Sequence, residues 1–507
     1  MARWEIMKVL HAIRAFPGHN RVFTVALLLA TAVRAITATA FRPAIWFGGD
    51  SASYVATALR LHPDISRVSG YGVFLLLLRP FHSFTLDVAV QHVLGLLMGL
   101  AIYVLLRERF RLPAWGATLA AVPVLLDAYQ IQLEHEVLSD TTFEALVVAA
   151  IVIALWWRPA DRPAWADATA GLLLAVSATI RPIGLPLLAL YICYLLLRRA
   201  RWRVFGVTLL ACALPLVLYV GWFFAAFHIV NFTNSTGIIL WSRAMSFANC
   251  SVIRPPASEA PLCPPGRHRL AASSYIWIPQ SPLNKIPGGK FSTAKNGLAQ
   301  NFALRAIAAQ PAGYATAVLH DLMLSFYWNR PQHPSAYTAS KYQFAAAERL
   351  WVSPGLATAH GGTVGSDQRA YAGTAPAATK AQQPYAGFMR AYQRLIYLRG
   401  TLLGIILLTG FAAIARSWPG GGIRRLRGWG GPALLPWLSA VGLLLTPVAT
   451  ADFDLRYVTP AVPVACIAAA LAFARAAGRP DAGGPAAGGG VAGQTTATQP
   501  QPQRQAS

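Results

Sequence analysis

Charge is what this sequence has least of. Only 12% of its 507 residues are Asp, Glu, Lys or Arg, against roughly a quarter in an average soluble domain. Acidic residues are scarcest, 19 against 43 Lys and Arg, which leaves a formal charge of +24. Cysteine is sparse too. Cys193, Cys212 and Cys466 sit in apolar runs, while Cys250 and Cys263 share one long polar stretch. Neither a CxxC pair nor the His/Cys spacing of a zinc site occurs. With 55% hydrophobic residues and a mean hydropathy of +0.45, a soluble globular protein is excluded.

What is present is a series of apolar runs long enough to cross a bilayer as helices. They fall at about 22–41, 86–106, 113–127, 140–157, 166–180, 183–197, 204–227, 396–415, 432–450 and 456–475. About ten spans put both termini on one side. The connections RERFR (107–111), RPADRP (158–163), RRARWR (198–203) and RSWPGGGIRRLR (416–427) are net basic, which marks them as cytoplasmic. The opposite face then collects 41–85, 127–140, Arg181-Pro182, 228–394 and 451–457, where most of the informative carboxylates lie. The 228–394 segment is itself basic, but loops beyond about 60 residues translocate regardless of charge. Within it, 296–328 has helical periodicity broken at Pro311, the pattern of amphipathic helices on the outer leaflet.

Asp50 stands in FGGDSASYVATAL just beyond the first span, after two glycines that free the backbone. It is a candidate catalytic base. An Asp in this setting also caps helices, and the two roles can coexist. The segment LLDAYQIQLEHEVLSDTTFEAL gathers Asp127, Glu134, His135, Glu136 and Asp140 at the outer mouth of the third and fourth spans. Such a cluster can ligate a divalent cation or divide acid and base roles. Taken as plain structure, it is a solvated loop capped by Ser139 or Asp140. Glu136 and Asp140, four apart, share a helix face, and His135 reads as a polar loop residue.

Arg181 lies between two apolar spans in VSATIRPIGLPLL, where Pro182 breaks the helix. An ionisable group there must find water, a partner or a ligand. Its fork suits a lipid phosphate, and snorkelling to headgroups serves it equally well. Arg456 and Tyr457 in ADFDLRYVTPAVP repeat the theme, while Arg34, near the outer half of the first span, could face the site but reads rather as snorkelling or structural. GGTVGS (361–366) and GGKFS (288–292) lack the complete phosphate-loop pattern.

The order of these motifs resembles the GT-C membrane glycosyltransferases that use polyprenyl-phosphate-linked sugars, especially the dolichyl-phosphate-mannose mannosyltransferase-like group. Asp50 with Tyr54 in DSASY is similar to the family's outer-loop acidic motif. SGYGVFLLLLRPF (69–81) resembles its juxtamembrane Tyr-Pro-Leu-rich segment, with Gly72 in place of the Pro. LSDTTFEALVV (138–148) is similar to its Ser/Thr-Glu before the fourth span, with Asp140 in that position. The Arg-Pro-x-Gly core of 171–199 and LRYVTPAVP (455–463) complete the set, which covers about residues 20–230 and 395–475. The resemblance implies an outer-loop carboxylate acting as general base on the acceptor hydroxyl, and a donor lipid phosphate in a membrane-embedded cleft. A single Asp50 departs from the adjacent double-acidic motif of some members.

Together these readings predict an all-α polytopic membrane protein of GT-C-like architecture. Residues 1–21 would be a cytoplasmic segment and 22–227 a transmembrane core with a first outer loop at 42–85. Residues 228–395 would be a long extracytoplasmic loop, 396–475 the C-terminal transmembrane helices and 476–507 a disordered cytoplasmic tail. The expected activity is inverting sugar transfer in the cytoplasmic membrane, from a polyprenyl-phosphate donor to an extracytoplasmic glycan, lipid or protein acceptor. Membrane lipids are partners and nucleic acid is not. Asp50 would be the base, with Asp140 and Glu136 as further catalytic candidates. Tyr54, Arg181, Arg456 and Tyr457 would bind substrate. No cofactor is firmly implied, a divalent cation being the one candidate. Cys250 and Cys263, amid prolines in a loop placed in an oxidising compartment, are expected to form a disulfide. The alternatives are a transporter or flippase of lipid-linked sugars and a noncatalytic envelope-binding protein.

Overall fold

The computed structural model describes residues 20–158, 161–264, 270–348, 352–359, 361–373, 378–416 and 431–474. Most of the expected N-terminal segment, part of RPADRP, nearly all of RSWPGGGIRRLR and the expected tail lie outside those residues.

A helix occupies each expected apolar run: Arg21–Ala40, Phe84–Val104, Ala114–Leu126, Asp140–Trp156, Ala164–Ile180, Gly184–Leu197, Trp202–Phe227, Gly400–Arg416, Leu434–Thr450 and Ala461–Ala470. Five described helical stretches are long and apolar enough to cross a membrane, or six when Tyr385–Leu395 and Gly400–Arg416, bent by 52°, count as one. Ala114–Leu126 has 13 residues and Gly184–Leu197 has 14, short of the roughly 20 that a crossing needs. Length and composition therefore support five or six spans, and ten stays a proposal. Trp202–Phe227 leaves Leu210, Leu214, Val217 and Leu218 exposed along its length, a face suited to lipid rather than water.

The main core joins these helices to Gly48–Arg60, which lies between the first two of them in sequence. Residues 228–395 hold a second core, in which Trp241, Ala244 and Met245 pack with Phe302, Ala303 and Ala306. Thr293–Ala309 and Pro311–Leu324 meet at the Pro311 break. The apolar face of Thr293–Ala309 covers Thr236–Ala244, so that face is not free to lie on a leaflet as its periodicity suggested. Cys250 and Cys263 are bonded, with their Cα atoms 6.2 Å apart. The described residues are mostly helical, with one short pairing beside the helices: Phe41–Arg42 runs antiparallel to Lys380–Ala381, tying the end of the first apolar helix to residues far along the chain.

The largest departure from expectation concerns buried charge. Arg34 is 3% exposed and grips Glu134, itself 0% exposed, through two 2.7 Å bonds. It also donates to the Leu125 carbonyl at 2.6 Å. His92 Nδ1 meets Glu134 Oε2 at 2.9 Å, and its Nε2 meets His135 Nδ1 at 3.0 Å. His135 is thus a fully buried linker rather than a polar loop residue, and burial pushes its imidazole down to about 3, so it stays neutral. A Cβ at Gly95 would collide with the Glu134 carboxylate, so only glycine admits this approach. The network fastens Arg21–Ala40, Phe84–Val104 and Ala114–Leu126 to the segment before Asp140.

Candidate active site

Separate chain segments converge around Asp50. The first is the start of Gly48–Arg60, entered through Gly48 at φ +50°. Ser51 accepts from the Phe47 amide at 2.8 Å and donates to the Val137 carbonyl at 2.8 Å, which locks this helix to the segment leading into Asp140. The Asp50 carboxylate does not cap the helix; Ser51 takes the Phe47 amide. Both carboxylate oxygens are instead held by guanidiniums, Oδ1 by Arg67 and Oδ2 by Arg456 at 2.9 Å.

Arg67 comes from the irregular stretch between two helices. Asp64 accepts from the Ser66 amide at 2.7 Å, the Ser69 amide donates to Tyr219 at 3.0 Å, and Ser235 donates to the Ser66 carbonyl at 2.7 Å. These contacts dock the stretch on Trp202–Phe227 and on Ser235 in the segment that follows it. Arg456 lies in Leu455–Tyr457, with Asp454 Oδ2 at 3.9 Å from its Nε and the Phe47 ring 4.8 Å away.

Arg181 ends Ala164–Ile180 in extended conformation, as a residue before proline must, so its side chain departs from the helix direction. It pairs with Asp140, the first residue of Asp140–Trp156. Tyr457 brings the two arginine groups together: the Arg181 and Arg456 guanidinium carbons stand 5.2 and 5.4 Å from its ring. Tyr54 hydrogen-bonds Ser139 at 3.1 Å. Lys341 Nζ stands 5.5 Å from the Phe47 ring that Arg456 also faces, and it has no carboxylate partner among the described residues.

Exposure sorts the three candidate carboxylates. The Asp50 side chain is 23% exposed and Asp140 1%, while Glu136 is fully buried. Burial would raise the Asp50 carboxyl, but Arg67 and Arg456 outweigh it and hold the group down at about 2. Burial pushes Glu136 up to about 8, against one 3.0 Å bond from Gln132. Glu136 is therefore neutral at pH 7 and its second oxygen has no partner among the described residues. No three His, Cys, Asp or Glu side chains converge to hold a metal among the described residues, and the acidic cluster of 127–140 is divided among separate partners.

Seven residues named from sequence are thus divided between two adjoining ion pairs and their surroundings: Asp50–Arg456 and Asp140–Arg181, with Tyr54, Tyr457 and the enclosed Glu136. Arg67, Asp454 and Lys341 were not named. Arg67 and Lys341 lie in stretches without periodicity or motif, and the signal available was only their basic charge on the face assigned to the outside.

No protein-family model matches the chain, and no curated protein matches it. Two solved structures show an overall likeness: ArnT from Cupriavidus metallidurans in the apo state, with 14% identity, 90% of this chain and 77% of that chain covered, and a TM-score of 0.33; and ArnT from Cupriavidus metallidurans bound to undecaprenyl phosphate, with the same identity and coverage and a TM-score of 0.35. Likeness at this level assigns neither fold nor activity to this chain.

Proposed function

We propose that this protein is an inverting glycosyltransferase of the cytoplasmic membrane that moves one sugar from a polyprenyl phosphate to an extracytoplasmic acceptor. The observation that carries the reading is the meeting of a water-reaching carboxylate, Asp50, with the guanidiniums of Arg67 and Arg456, beside a second arginine pair at Asp140–Arg181. A carboxylate within reach of solvent can take a proton, and forked cations suit a phosphate that departs. The ordered motifs that resemble GT-C enzymes supply the donor class.

In this reading Asp50 takes the acceptor's hydroxyl proton as that oxygen bonds to the anomeric carbon from the face opposite the phosphate. The carbon–oxygen bond to the phosphate breaks and its electron pair leaves on the polyprenyl phosphate, so configuration inverts and no acid is needed at the leaving group. Arg456 stabilises the charge that develops there, flanked by Arg181, which stays paired with Asp140, and Lys341, without a carboxylate partner among the described residues, adds a further cation. Asp140, almost wholly buried, orients Arg181, and Tyr54 and Tyr457 line the substrate's approach. Glu136, neutral and enclosed, supports the segment that carries Asp140. The topology that goes with this reading has about ten spans, both termini cytoplasmic, and 228–395 outside.

The reading is tested by incubating purified protein with a panel of radiolabelled polyprenyl-phosphate sugars and envelope extracts. Release of polyprenyl monophosphate together with labelled acceptor supports it. Movement of intact donor across vesicles, without release of sugar, would favour the flippase.

A further inference from the structure

We propose that in the resting protein Asp50 occupies the place of the donor's phosphate, and that the arriving phosphate takes Arg67 and Arg456 from it, so that donor binding and release of the base are one event. The proposal deepens the glycosyltransferase reading and rests on it.

Three observations lead there. The first is donor geometry. Arg67 Nη1 and Arg456 Nη1 bond the two oxygens of one carboxylate. Carboxylate and phosphate compete for the same guanidinium N–H groups. Two arginines from remote segments, turned toward one small anion, form a fork that would serve a phosphate oxygen pair as well.

The second is charge balance. Arg67, Arg181 and Arg456 face Asp50, Asp140 and Asp454, three against three. Lys341, beside the Phe47 ring that Arg456 also faces, has no carboxylate partner among the described residues and can offset part of an entering anion's charge, but the guanidinium forks are all committed. A phosphate that takes two of them displaces the carboxylate they hold. Asp140 is 1% exposed and would be stranded without Arg181, whereas Asp50 is 23% exposed and can turn to water. Asp50 is therefore the one displaced.

The third is basicity. Held by both arginines, Asp50 is a poor proton acceptor, its carboxyl lying near 2 instead of 3.8. An acceptor that arrives first meets a carboxylate that cannot serve it. Once the phosphate holds Arg67 and Arg456, Asp50 loses the two contacts that depress it and becomes the stronger base. Donor must then bind before the acceptor can be activated. Arg67 gains a definite role as a positioning residue: it holds Asp50 in the resting site and the phosphate in the loaded one.

The test titrates polyprenyl monophosphate in detergent into the full chain by calorimetry. Asp50→Asn keeps the size but removes the competing anion, and it should bind at least about tenfold more tightly than wild type. Asp454→Asn removes the same charge from beside Arg456 without freeing both guanidiniums, and it should tighten binding by no more than about threefold. Equal tightening by both would mean simple charge repulsion, and unchanged or weaker binding by Asp50→Asn would mean that Asp50 keeps its arginines; either overturns the proposal. Wild-type protein that fails to bind polyprenyl monophosphate would instead remove the donor reading itself. Should Asp50→Asn not fold, isotope-edited infrared spectroscopy of wild type decides. The Asp50 carboxylate stretch should shift on adding polyprenyl monophosphate, and a band that does not move contradicts displacement.

Discussion

Arg456 reaches across 406 residues of sequence to donate to Asp50 Oδ2 at 2.9 Å. This bond joins the stretch before the last apolar helix to the helix Gly48–Arg60, and most of the proposed chemistry follows from it.

Because Arg456 presents a fork, its charge alone does not replace it. Arg456→Lys should lower affinity for a polyprenyl-phosphate ligand about tenfold, on the order of 1.4 kcal/mol, and Arg456→Ala should lower it further. Calorimetric titration of the two variants reads this directly. Wild-type affinity in both would assign Arg456 to structure.

Glu136 makes stability depend on pH in a defined direction. Its carboxyl is raised from 4.5 to about 8 by burial. Between those values the folded protein keeps a proton that the unfolded chain has lost, so stability falls as pH rises through that window, by at most ~1.4 kcal/mol per pH unit. Below pH 4.5 both states are protonated, and the contribution is flat. Glu136→Gln should flatten the decline of the melting temperature between pH 5 and 8; an unchanged slope would show that Glu136 ionises normally.

The Arg34–Glu134 pair has side chains 3% and 0% exposed. Glu134→Gln leaves the guanidinium buried without its counter-charge, a change that costs about 3–5 kcal/mol where it has been measured. The variant should melt well below wild type in the same detergent. A wild-type melting curve would mean that water or lipid reaches Arg34.

The sidedness inferred from basic connections predicts that a cysteine at 345 is labelled by an impermeant reagent in intact cells, while cysteines at 108, 201 and 424 are labelled only after permeabilisation. The reverse pattern would put Asp50 in the cytoplasm and remove the extracytoplasmic acceptor.

How much of this was legible in the sequence depends on how far each feature reaches. Helices such as Arg21–Ala40 and Trp202–Phe227 are visible because apolar runs bounded by basic residues and prolines are local signals. Asp50, Asp140, Arg181 and Arg456 could be placed on one face because span ends are local too. Their pairing could not be read, since nothing near Asp50 in sequence points to Arg456. Arg67 was invisible for the same reason, its position being set by Asp64, Tyr219 and Ser235. The cluster from Asp127 to Asp140 admits a solvated-loop reading because it has five ionisable groups within 14 residues; Arg34, His92 and Arg181 from three other segments are what allow the burial of Glu134, His135 and Asp140. Residues 228–395 read in sequence as one loop, because their core around Trp241 and Phe302 forms between segments about 60 residues apart, beyond any periodicity.

The most direct test of the central claim is sugar transfer by Asp50→Asn. Asn fills the same space but cannot accept the proton. Wild type should transfer label from a polyprenyl-phosphate sugar to an extracytoplasmic acceptor, and Asp50→Asn should be slower by at least about 10²-fold while still folded and still binding polyprenyl monophosphate. Near-normal turnover by a folded Asp50→Asn protein would contradict it.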